Sequence, residues 1–204
     1  MAKRHKRNAE VFLNIPYDKK FEKLFLAYIA GISCFGLRPR TTLEIPGGSR
    51  RLDKILMLIA ECRYSIHDLS RVELDSKSPR TPRFNMPFEL GLAVALRGTG
   101  TGRRRDWFVC ETMRLRLLKS LSDLNGTDPH IHDGRIAGVF RELGNIFSRT
   151  TGQPTLQQMY RVYRGLRRDL PAVLRKSGAA TIYGARVFKE LCVLASAYAS
   201  ELVN

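Results

Sequence analysis

The chain has 204 residues, 44% of them hydrophobic, which is enough for one good core or for one domain with an appendage. No apolar run approaches the roughly 18 residues of a membrane span, so a membrane partner is not expected. The 35 Lys and Arg against 19 Asp and Glu give a formal net charge of +16, which favours nucleic acid or phosphorylated small molecules as partners.

The segment Met1-Ala2-Lys3-Arg4-His5-Lys6-Arg7 is basic but leads into a strand-like run rather than an apolar signal region. A cytoplasmic location without a targeting peptide is the expectation. Cys34, Cys62, Cys110 and Cys192 are scattered, each among apolar neighbours, with neither CxxC nor zinc spacing. They read as buried free thiols.

Glu10–Ile15 predicts a short buried strand closed by Pro16, after which Asp18 is placed to cap a helix carrying Phe21, Leu24, Phe25, Tyr28, Ile29 and Ile32. Gly36 ends that helix, and a second strand is predicted over Leu37–Ile45. The turn Pro46-Gly47-Gly48-Ser49 leads into a helix starting at Ser49 or Arg50, with Leu52, Ile55, Leu56 and Ile59 on its apolar stripe. A third strand follows at Tyr64–Leu69. Ser70–Pro82 is a long polar loop, a candidate binding loop. A third helix starts near Asn85 and stops at the glycines of 98–102; Asp106–Cys110 is a fourth strand. Ser120–Gly134 is polar and rich in turn residues. Helices are predicted at Ile136–Phe147, Thr155–Lys176 and Thr181–Val203.

Strand–helix alternation of this kind predicts an α/β fold, a doubly wound, flavodoxin-like parallel sheet with a C-terminal helical extension. The division expected is a basic arm at 1–9, an α/β domain at 10–150 and a basic helical extension at 151–204. In such sheets the ligand crevice lies beyond the carboxyl ends of the strands. Pro16-Tyr17, Asp68 and the start of the Asn85 helix would meet there.

Glu89 is the most informative residue. It sits in Phe88-Glu89-Leu90-Gly91-Leu92-Ala93, an apolar helical run, and an ionised carboxylate is costly to bury without partners. It is either a first-turn acid favoured by the helix dipole or a group facing a pocket. Gly91 beyond it permits close approach of backbone or ligand. Asp68 closes a buried strand as a site residue or a loop acceptor. Asn85 reads as an N-cap that leaves room for a ligand contact. Arg50 and Arg51 either bind a phosphate with free helix amides or belong to a plain turn. Asp128, His130, His132 and Asp133 alternate in a Pro-containing loop, a poor arrangement for one ion, so no metal and no cofactor are expected. The basic clusters that include Arg103, Arg104 and Arg105, and Arg161, Arg164, Arg167 and Arg168, are nucleic-acid contacts or solvated surface.

The ordered set Arg51-Leu52-Asp53-Lys54-Ile55, Cys62 to Ser70 with its Asp68, and Asn85-Met86-Pro87-Phe88-Glu89-Leu90-Gly91 resembles the nucleoside 2-deoxyribosyltransferase-like superfamily, of which TIR-type NAD-cleaving domains are structural cousins. The resemblance spans roughly residues 10–135. It implies cleavage of an N-glycosidic bond, with Glu89 as nucleophile or oxocarbenium-stabilising carboxylate and Asp68 positioning the ribose or assisting proton transfer. Tyr17 and Phe84 would shape or stack on the base. It also implies a homo-oligomer, and relatives serve as toxic effectors in bacterial antiphage systems. The family's base-fixing acid has no counterpart, Arg83 and Asn85 standing in that region; with the positive charge this favours a nucleotide or NAD over a free nucleoside. The other reading is a non-catalytic module that senses nucleotides or binds nucleic acid.

Overall fold

The computed structural model describes residues 9–48, 50–73, 78–98, 105–150 and 152–202. Strands β1 (Glu10–Asn14), β2 (Arg38–Thr41), β3 (Tyr64–Asp68), β4 (Asp106–Glu111) and β5 (His130–Ile131) form one sheet in the order β2-β1-β3-β4-β5. Every neighbouring pair is parallel, Val11 lying opposite Tyr64 and Tyr64 opposite Asp106. In the central strands β1 and β3 every residue after the first is buried, because helices cover both faces. This is the doubly wound, flavodoxin-like order, with C-terminal helices added.

One face carries α2 (Arg51–Glu61), α3 (Asn85–Gly98) and α4 (Arg116–Ser120), which pack on Phe12, Leu69 and Val109. The other carries α1 (Glu22–Cys34), α5 (Ile136–Ile146), α6 (Leu156–Ser177) and α7 (Ala185–Ser200). Residues Leu24–Ser33 of α1 are all buried. A helix apolar all round needs cover on every side, and α5, α6 and α7 supply it within one cluster that also holds Val11, Leu13 and Ile66. The C-terminal helices are therefore a second layer over α1.

Several boundaries depart from expectation. The strand predicted over Leu37–Ile45 stops at Thr41, where a 3-10 turn at Thr42–Glu44 begins. Thr41 Oγ1 accepts from Leu43 N, and the Glu44 carboxylate accepts from Thr41 N at 3.0 Å, so local side chains take the amides a ladder would have used. Asp18 is not the N-cap of α1, a position Phe21 holds without a side-chain bond; its Oδ1 accepts from Lys20 N at 3.0 Å in the turn before the helix, and its Oδ2 accepts from two arginines. The short α4 and the two-residue β5 were not anticipated; neither is long enough to show periodicity. The last helix spans Ala185–Ser200 rather than Thr181–Val203. Of the cysteines, Cys62 and Cys110 are buried, Cys34 and Cys192 partly so, and all are free thiols.

Gly138 fixes how α5 meets the sheet. A Cβ there would run into the backbone carbonyl of His132, a neighbour that cannot yield as a side chain would. Gly138→Ala is expected to cost about 1–3 kcal/mol, the usual range for overpacking, read as a lowered urea midpoint. An unchanged midpoint would mean that α5 can slide on the sheet.

Among the described residues no helix is long and apolar enough to cross a membrane.

Candidate functional site

The sheet order reverses direction between β1 and β3. The chain leaves β1 toward α1 on one face and leaves β3 toward α3 on the other, the reversal at which parallel sheets bind ligands beyond the carboxyl ends of their strands. Asn14 ends β1 opposite His67 of β3. The Asn14 amide nitrogen donates to Met86 O on α3 at 2.8 Å and lies 3.0 Å from His67 Nδ1, so it ties both strand ends to the first turn of α3.

Glu89 stands on that helix, one turn after Asn85 and just beyond the dipole-favoured first turn, which holds no acid. It is 7% exposed, and no hydrogen bond or ion pair ties its carboxylate to another described residue. Burial raises its pKa to about 7, opposed by the positive charge of Arg51. Such a carboxyl is half ionised near neutrality, the condition in which a buried acid changes charge at little cost.

Tyr17 and Arg51 are the groups that share this environment. The Tyr17 hydroxyl lies 3.0 Å from Thr42 Oγ1, and its ring packs on Tyr183 at 5.4 Å. Burial pushes its pKa up to about 12, with Thr42 and Thr41 pulling the other way and Glu89 adding to the rise. Arg51 donates to Ile45 O at 3.1 Å and Thr42 O at 3.4 Å, so the carbonyls after β2 hold its guanidinium in place. Arg50, in the left-handed conformation at φ 63°, opens α2 without a side-chain cap and is exposed.

The rim is clamped around these residues. Asp18 Oδ2 accepts from Arg71 Nε at 2.7 Å and from an Arg83 guanidinium nitrogen at 3.0 Å, pinning both ends of the β3–α3 loop to the β1–α1 loop. Burial works against the Asp18 charge, but the two guanidiniums hold its pKa below the ordinary value. The Tyr183 hydroxyl donates to Asp18 O at 2.7 Å, so the segment before α7 reaches the same rim.

Asp68 is not brought to Glu89. Successive strand residues face opposite sides, and Asp68 points to the α1 face while His67 points to the α3 face. The fully buried Asp68 carboxylate accepts from the Tyr28 hydroxyl at 2.8 Å and Ser70 N at 3.0 Å, and lies 3.0 Å from His132 Nε2. Burial opposes its ionisation, and the His132 and Ser70 contacts outweigh it, holding the pKa below the ordinary value. His132 Nδ1 accepts from Gly134 N at 3.1 Å, which favours the neutral ring with its proton on the nitrogen facing Asp68. Asp68 is thus an anchor for the rim from beneath, with no open side for a ribose.

Phe84 is 66% exposed and Asn85 is exposed, so neither is packed against the buried carboxylate; Asn85 begins α3 as its first helical residue. Gly91 is exposed too, with open space where a side chain would stand. His130 pairs with Glu142 at 3.1 Å and His132 with Asp68, in separate places, and no group of three His, Cys, Asp or Glu among the described residues converges on one point. Arg105 donates to Ala60 O and Leu96 O, bracing α2 and α3, while Arg103 and Arg104 lie outside the described residues.

His67 and Asn14 went unnoticed in the sequence. The His67 Nδ1 lone pair faces Asn14, leaving the proton on Nε2, which is buried without a hydrogen-bond partner among the described residues. Burial lowers its pKa to about 3. Period-two alternation along Tyr64–Asp68 could have found it, since any strand ending in two polar residues offers one to each face.

The chain matches no protein-family model, no curated protein and no solved structure.

Proposed function

We propose that the chain cleaves the N-glycosidic bond of a nucleotide-type substrate, a nucleotide or NAD, with the Glu89 carboxylate facing the anomeric carbon. The observation that carries this is a buried carboxylate without a partner among the described residues, its pKa raised to about 7, at the switch point of a parallel sheet. The resemblance of Asn85–Gly91 to the deoxyribosyltransferase-like superfamily supports the same assignment.

The chemistry fits the residues. As the bond from C1′ to the base nitrogen breaks, its electron pair leaves with the base, and C1′ gains positive charge. A fixed carboxylate in a poorly hydrated site opposes that charge, or bonds to C1′ before water replaces it. Water then adds its oxygen to C1′ and gives up a proton; the base of a nucleotide takes up a proton as it leaves, whereas the nicotinamide of NAD leaves already neutral and the proton passes to solvent. Arg51, held by two backbone carbonyls, is placed to meet a phosphate or ribose oxygen, with Arg50 beside it on the solvent side. Tyr17 supplies an aromatic wall that stays protonated across the working pH range.

The test is base release from a panel of nucleosides, nucleotides and NAD across pH 5–9. Because kcat/KM reports ionisations of the free enzyme, its acid limb is expected near pH 7, with cleavage lost as Glu89 takes up its proton. Release that is flat across this range, or that rises toward pH 5, contradicts an ionised Glu89 as the reacting group.

A further inference from the structure

Away from this crevice, α6 carries six cations and a single acid in its 22 residues. Its apolar face, Met159, Val162, Tyr163, Leu166 and Val173, is buried against the core. The opposite face shows Arg161, Arg164, Arg167 and Arg175 to solvent, none of them in an ion pair with a described carboxylate. Arg168 and Lys176, by contrast, are neutralised by Asp169 and Glu190.

We infer that this face binds the phosphodiester backbone of a nucleic acid. Arg161, Arg164 and Arg175 stand at intervals of three and eleven residues, with the Asp169-paired Arg168 between them, which puts them in one row along the helix. From Arg161 to Arg175 the row runs about 21 Å, at about 1.5 Å per residue. A strand of B-form duplex advances about 3.4 Å per nucleotide, so roughly six phosphates pass along that length. At the start of the row Gln157, Gln158, Tyr160, Arg161 and Arg164 line a groove of about 530 Å³, which joins amide donors and an aromatic ring to the guanidiniums. That combination suits a sugar–phosphate chain. A lipid surface fits less well, because α6 has its apolar stripe turned inward and offers no matching face for insertion.

The experiment uses the full chain and a labelled DNA of about 20 nucleotides, single-stranded and duplex, titrated across KCl concentrations. The charge-removing triple variant Arg161→Ala/Arg164→Ala/Arg175→Ala is compared with Lys23→Ala/Lys54→Ala/Lys119→Ala, which removes the same charge from exposed sites elsewhere. On duplex the arginine triple is expected to flatten the slope of log K against log salt by about 2.7 and to weaken binding at least about tenfold. The lysine triple should leave the slope within about 0.5 of the parent value. Glu89→Gln should bind DNA as the parent does, which keeps this inference separate from the fate of the glycosidase reading. Equal losses in the two triples would reduce the effect to net charge and overturn it. So would the absence of DNA binding by the parent, or binding of acidic polypeptide or phosphatidylserine vesicles in preference to DNA.

Discussion

Glu89→Gln is expected to stabilise the protein at pH 8 and to leave it unchanged at pH 4. An unfolded glutamate ionises near 4.5, whereas the buried Glu89 carboxyl waits until about 7. Between those values the folded state holds a proton that the unfolded state has released, so stability falls as pH rises through the window and stays low above it. The difference corresponds to about 3 kcal/mol, at roughly 1.36 kcal/mol per pKa unit. Glutamine keeps the shape and never ionises, so urea midpoints of the two proteins should coincide at pH 4 and separate toward pH 8. A variant less stable than its parent at every pH would make Glu89 a structural acceptor. Residues retained at a cost to stability are those that function requires, and that is why this measurement bears on mechanism.

The largest loss of stability is expected at the other face of the same strand end. Asp68→Ala removes the acceptor of the Tyr28 hydroxyl and of Ser70 N, together with the carboxylate that faces His132 Nε2, all without access to water. Leaving buried donors without their acceptor costs about 1–3 kcal/mol for each. Asp68→Asn should cost less, since one amide oxygen can still accept. The pH dependence has the opposite sign to that of Glu89. Asp68 is held below its ordinary value of 3.8, so its contribution is complete above that pH and disappears as pH falls through the folded value. Chemical denaturation at pH 7 and pH 3 resolves the two behaviours. An Asp68→Ala protein as stable as the parent would mean that Tyr28 and His132 find other partners.

The two acids show what was legible in the sequence. The parallel sheet followed from strand–helix alternation, because long periodic helices and apolar strands carry their own pattern. Glu89 was visible as a charge in an apolar helix, and the structure leaves it buried and without a partner among the described residues. Asp68 was visible only as a strand-end polar residue, and its facing was not. Facing depends on register: with Ile66 in the α1 core, Asp68 two residues on must share that side, and His67 must take the α3 side. The same long-range partnering hid His132, which reads as a loop histidine until β5 carries it under Asp68. The Asp18 clamp escaped notice for a related reason, since it joins residues 53 and 65 positions apart through a loop that shows no periodicity.

The central claim concerns one carboxylate, and base release reads it directly. Parent, Glu89→Gln and Glu89→Asp are incubated at pH 8 with the nucleotide, NAD and nucleoside panel, and free base is separated and quantified. The parent is expected to release base from a phosphorylated substrate and Glu89→Gln to lose at least about 10³-fold, in the range of removing one group that stabilises transition-state charge. Glu89→Asp, which keeps the charge and moves it back by one methylene, should retain a measurable fraction. Release by Glu89→Gln at the parent rate would mean that the Glu89 carboxylate takes no part in breaking the bond.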